Sequence, residues 1–130
     1  MTANDSRATS TLHRLLAWDA AWELLVGIAC FIAPFVAKPL FGLDLVGWWP
    51  AFFLLGLGCV AFSALFARGA RGIDSLRICT AGAIANALAA GSLMMVVSLV
   101  GALNNAAQIT LLLLALVCAG FSFLQWRQLS

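Results

Sequence analysis

Four apolar runs, separated by short polar breaks, take up most of the chain. Read from where charges and turn formers interrupt them, the runs span about 15–37, 48–67, 78–100 and 107–125. Each is close to the roughly 20 residues that carry a helix across the hydrocarbon of a bilayer. The pattern predicts an all-α protein, a four-transmembrane-helix bundle in one domain spanning residues 11–130. Residues 1–10, MTANDSRATS, are mostly polar and are expected to be disordered on the cytoplasmic side. Ser10 or Thr11 would cap the first helix. The first apolar run is long, contains acids and lacks a small-x-small cleavage site after a short core, so it is expected to be a retained span.

Within this frame, Pro34 predicts a kink or a loosening of the last turn near the end of the first span, and Lys38-Pro39 predicts its close. Trp48 and Trp49 suit the headgroup level, with Pro50 in a first helical turn. The third run opens with TAGAIANALAAGS, almost wholly small residues, which let helix backbones approach closely in lipid. It is therefore expected to pack most tightly. The fourth contains LLLLALV and is expected to face lipid most fully. Asn104-Asn105 suits the turn between the last two spans.

Composition agrees with the pattern. Of 130 residues, 64% are hydrophobic and 9% charged, whereas a soluble domain carries about 25% charged residues. Mean hydropathy is +1.05. A net charge of +2, with basic residues scattered, gives no nucleic-acid face. The expected partners are the lipid bilayer and either further copies of the chain or other membrane subunits. No nucleophile–base pair and no metal constellation is visible, so neither enzymatic activity nor a cofactor is expected. Cys30, Cys59, Cys79 and Cys118 form no CxxC pair and read as small packing residues. The single histidine, His13, precedes the first apolar core.

Basic residues set the expected orientation. With four spans, Arg7, Arg14, Arg68, Arg71, Arg77 and Arg127 fall on one side and Lys38 alone on the other. Positive-inside bias then places both termini in the cytoplasm. A faint two-hairpin repeat is also visible: aligning Arg14 with Arg77 sets Glu23 opposite Asn86.

The candidate site lies in LLAWDAAWELLVG, Leu15 to Gly27. Asp19 and Glu23, four residues apart, share a helical face. At a rise of about 1.5 Å per residue, Asp19 is expected roughly 6 Å inside the core and Glu23 roughly 12 Å, level with Asn86. Cys59, Ser63, Cys118 and Ser122 fall at similar depths on the second and fourth spans. A charge at the bilayer centre costs at least about 2.5 kcal/mol, so the two acids need partners or protons. Arg14 and Arg77 are the expected partners of Asp19, and Asn86 that of Glu23. Asp19, Glu23, Asn86, Arg77 and Trp22 are thus the candidates for binding or proton relay. Trp18 and Trp22 flank the acids as anchors or packing groups, and Met94 and Met95 read as core or lipid-facing.

The order of Asp19, Pro34, Gly42-Leu43, Gly56 and Gly58, an arginine turn and Ala85-Asn86 resembles the small uncharacterised four-span integral membrane proteins of bacteria. That resemblance implies a fold and no activity. Small multidrug-resistance transporters are similar in length and span number, and Glu23 would match their membrane-embedded glutamate. This chain departs from them in having no tyrosine, a second acid at Asp19 and a strong charge bias. The leading expectation is a packing or accessory subunit of a membrane complex or homo-oligomer. The alternative is a small proton- or cation-coupled transporter or channel built on Asp19 and Glu23.

Overall fold

The computed structural model describes residues 3–130. It comprises α1 (Ala3–Phe41), one 3₁₀ turn (Val46–Trp48), α2 (Trp49–Ala70), α3 (Ser75–Leu99) and α4 (Asn105–Leu129). All four helices are long and apolar enough to cross a membrane. No strand occurs among the described residues.

Helix α1 departs from expectation at both ends. It begins at Ala3, where disorder was expected from 1–10; Met1 and Thr2 lie outside the described residues. The hydroxyls of Ser10 and Thr11 do not cap it. They donate back to the Arg7 carbonyl at 2.9 and 3.0 Å, bonds that a helical backbone itself offers. At the far end α1 runs through Pro34 and Pro39 to Phe41 instead of closing at Lys38-Pro39. Proline removes one amide donor, and a span embedded among other helices tolerates that. Gly42 ends the helix, at φ +69°, with its amide donating to the Lys38 carbonyl at 3.0 Å. At 39 residues α1 is about 58 Å long, nearly twice the hydrocarbon thickness, so its polar first turns continue beyond any bilayer.

Neighbouring helices run antiparallel, and α1 packs chiefly on α2, α3 chiefly on α4. The start of α1, the end of α2, the start of α3 and the end of α4 meet at one end. There His13 lies 3.4 Å from Ser75, Ser75 donates to the Gly69 carbonyl at 2.7 Å, and Leu129 packs against the buried cluster that Leu12, Leu16, Phe66 and Ile78 help to form. The six arginines cluster toward this end, and Arg68 pairs with Asp74 at 3.3 Å. At the other end Lys38 pairs with Asp44 at 3.2 Å, and its ammonium holds the Asp44 carboxyl below the usual carboxylate range. Both pairs are exposed and add little stability. Asn104 caps α4, its side-chain oxygen accepting from the Ala107 amide at 2.8 Å.

Two packing expectations are corrected. Helix α3 buries no larger share of its residues than α1 or α4, because Gly82, Ala83 and Asn86 face inward while Ala81, Ala87 and Gly91 face outward. Helix α2, not α4, is the most exposed. On α4 a stripe of Ala107, Ala115, Cys118, Ser122 and Gln125 is buried and only the opposite face carries the exposed leucines. The tightest backbone approaches occur at glycines. A Cβ on Gly56 would stand 3.0 Å from the Gly27 carbonyl and 2.7 Å from the Phe31 ring, which fixes the α1–α2 crossing.

Candidate functional site

One polar cluster lies in the bundle interior, and Asp19 is its centre. Leu12, Leu16, Asp19 and Ala20 share the inward stripe of α1, so burying the leucines buries the acid as well. Asp19 is 0% exposed, Gln125 0% and Asn86 1%. Asn86 Nδ2 donates to Asp19 Oδ2 at 2.9 Å, and Gln125 Nε2 donates to the same oxygen at 2.6 Å. Asn86 Nδ2 also donates to Gln125 Oε1 at 3.2 Å. Among the described residues, two side-chain oxygens remain buried without a hydrogen-bond partner, Asp19 Oδ1 and Asn86 Oδ1. The cluster ties α1 to α3 and α4, so it joins the two hairpins.

Several expected pairings change. Asn86 bonds Asp19, not Glu23. Arg14 and Arg77 are exposed, and neither takes part in the two ion pairs found among the described residues. Glu23 is half-buried beside the Cys59 thiol, one turn from Asp19 and outside its hydrogen-bonded cluster. Trp22 is half-buried beside Cys118, while Trp18 is 72% exposed, so the two rings do not enclose one site. Met94 and Met95 point outward. The four cysteines are free thiols, with Cys79 donating to the Gln125 carbonyl at 3.6 Å. Among the described residues no three metal-ligating side chains converge.

Gln125 is the residue that sequence reasoning missed. It sits at the edge of the fourth apolar run, where a glutamine reads as a boundary. A second signal was present in the chain. Residues 54–68, LLGLGCVAFSALFAR, align with 113–127, LLALVCAGFSFLQWR. Eight of the fifteen positions are identical: Leu54, Leu55, Leu57, Cys59, Phe62, Ser63, Leu65 and Arg68 against Leu113, Leu114, Leu116, Cys118, Phe121, Ser122, Leu124 and Arg127. The structure carries the same repeat in its bonds. Ser63 Oγ donates to the Ala20 carbonyl at 2.7 Å, and Ser122 Oγ donates to the Ala83 carbonyl at 2.8 Å. Ala20 and Ala83 are the positions that correspond when Arg14 is aligned with Arg77. The two hairpins are therefore parallel repeats, each with one serine bracing its helix pair.

The polar cluster breaks this symmetry. Gly82 stands in α3 where Asp19 stands in α1, Asn86 where Glu23 stands, and Gln125 in α4 where Phe66 stands in α2. A Cβ at Gly82 would lie 2.7 Å from Gln125 Nε2 and 2.8 Å from the Phe66 ring. The missing side chain thus leaves the space through which Gln125 reaches Asp19.

An apolar cleft of about 490 Å³ opens between α1 and α4 in the half distant from the arginines. Its walls include Val26, Cys30, Ala33, Leu111 and Leu114. It ends about one helical turn short of Glu23 and does not reach Asp19.

Compared with protein-family models, with characterised proteins and with solved structures, the chain gives no match.

Proposed function

We propose that the chain is an integral membrane protein with both termini in the cytoplasm, and that its Asp19 cluster is a membrane-embedded site for a proton or small cation. The observation that carries this reading is the pair of buried oxygens, Asp19 Oδ1 and Asn86 Oδ1, that nothing in the bundle satisfies. A buried acceptor without a donor costs about 1–3 kcal/mol, more when charged, and an ionisable group inside a membrane marks ion or proton pathways by default. The repeat adds support. What the two hairpins share, the serine braces and the Leu-Cys-Phe-Ser frame, is scaffold; the acid has no counterpart in the second hairpin, and its two amides have none in the first. The protein then acts as a small proton- or cation-coupled transporter or channel in a bacterial inner membrane, without catalysis. The test is ion flux in proteoliposomes: the parent protein should carry protons or sodium above empty vesicles, and Asp19→Asn should lower the rate by about tenfold or more, a barrier change of roughly 1.4 kcal/mol.

A second reading is favoured by the direction of the hydrogen bonds. The two bonds to Asp19 run from the second hairpin to the first, so the cluster also suits a purely architectural lock in a packing or accessory subunit, working with copies of itself or with other membrane proteins. Extraction from native membrane in mild detergent tests it. A particle of constant composition with other subunits, together with no flux from the purified chain, supports the accessory role.

A further inference from the structure

We infer that the occupant of the cluster is a proton, held between Asp19 Oδ1 and Asn86 Oδ1. The inference rests on the reading of Asp19 as an ion site and names the ion. Asn86 already bonds Asp19, its Nδ2 donating to Oδ2 at 2.9 Å. The two oxygens left over belong to these same two groups, and both are acceptors only: an ionised carboxylate and an amide carbonyl have no hydrogen to offer. A proton on Oδ1 converts Asp19 into a donor, with Asn86 Oδ1 as the acceptor on the group already paired with it. Acid and amide then form a closed ring of two hydrogen bonds, one in each direction, and one proton satisfies both orphaned atoms. Loading forms one O–H bond with a proton taken from water, release breaks it, and nothing is oxidised or reduced.

The surroundings favour a proton over a metal cation. Oxygen-liganded cations take about six ligands, but among the described residues the cluster offers two buried oxygens that have no donor, and Gln125 Oε1 already accepts from Asn86 Nδ2. Among the described residues no basic side chain faces the acid. The titratable groups nearest it are Glu23 on its own helix, the Cys79 thiol from α3 and the Cys118 thiol from α4. From α2, Ser63 bonds the carbonyl of Ala20, the residue after Asp19, and Cys59 turns to Glu23. A neutral acid ring buries no net charge, so it needs no counter-ion.

The experiment is infrared spectroscopy of the full-length Glu23→Gln protein in lipid at neutral pH, with thermal unfolding alongside. In this background Asp19 is the one carboxyl inside the spans, and exposed carboxyls are ionised at neutral pH. The expected result is a protonated-carboxyl band that shifts in deuterium oxide and vanishes when Asp19→Asn is added. In the parent background Asp19→Asn should melt within about 3 °C of the unaltered protein, because an amide supplies the same donor and acceptor to Asn86; Asp19→Ala should melt lower by more than that. If the band is that of a carboxylate and sodium raises the melting temperature only when Asp19 is present, the proton is overturned while the ion site stands with a different ion. If the band is that of a carboxylate, melting responds to neither pH nor sodium, and vesicles show no flux, both readings fall.

Discussion

At the residue scale, the energetics of this protein turn on few polar atoms in apolar surroundings. Gln125→Leu removes one of two donors to Asp19 and should destabilise the bundle by about 1–3 kcal/mol in detergent unfolding. Ser63→Ala and Ser122→Ala remove matched interhelical bonds. Each should cost about 0.6 kcal/mol, and the two should be equal within error if the hairpins are true repeats; a large inequality would show that the symmetry is only in the sequence. Asp19, Glu23 and Asn86 were legible in the chain because a polar side chain inside an apolar run stands out. Their pairing was not. Asp19 and Glu23 differ by one helical turn, about 6 Å in depth, and the relative height of α1 and α3 decides which of them Asn86 meets. Gln125 was hidden by the same limit, since a glutamine at a run edge is indistinguishable from the end of a span. Arg14 and Arg77 were expected partners because they lie near the right depth; they point outward, where long cationic side chains reach water at small cost.

At the element scale, the four helices and their order followed directly from hydropathy and length. Their ends did not, because hydropathy reports where lipid ends, and a helix continues into water as long as its own backbone bonds are made. That is how α1 comes to begin at Ala3 and to pass two prolines. Packing of α3 was misjudged because small residues permit close approach without dictating which face uses it. Gly82 and Gly91 separate the two cases. Gly82→Ala would press a methyl group against Gln125 and the fully buried Phe66, so a loss of about 1–3 kcal/mol is expected. Gly91 has no atom within 4 Å of its Cβ position, so Gly91→Ala should leave stability unchanged or raise it slightly through helix propensity. Unfolding of both variants in mixed micelles, with loss at Gly91 and none at Gly82, would show that the inward face of α3 is misassigned.

At the scale of the whole molecule, two matching hairpins supply a frame and the polar cluster breaks their symmetry. The repeat was visible only faintly from the first helices, where Arg14 aligns with Arg77, and plainly in the second, where the Leu-Cys-Phe-Ser-Leu-Arg frame recurs. In the first helices the polar positions differ, Asp19 against Gly82 and Glu23 against Asn86, and that difference obscured the repeat. Charge sets the proposed orientation: with the native cysteines replaced, a thiol placed at Ser130 should resist a membrane-impermeant maleimide in intact cells, and one placed at Leu45 should react.

The claim that orders all of this is that Asp19, not Glu23, is the ion-bearing acid. The most direct measurement is the rate of proton entry into proteoliposomes for the parent protein, Asp19→Asn and Glu23→Gln, each at matched protein content. The account predicts flux in the parent, a fall of about tenfold or more in Asp19→Asn, and a rate within about threefold of the parent in Glu23→Gln. Flux that survives Asp19→Asn and is lost in Glu23→Gln would contradict it.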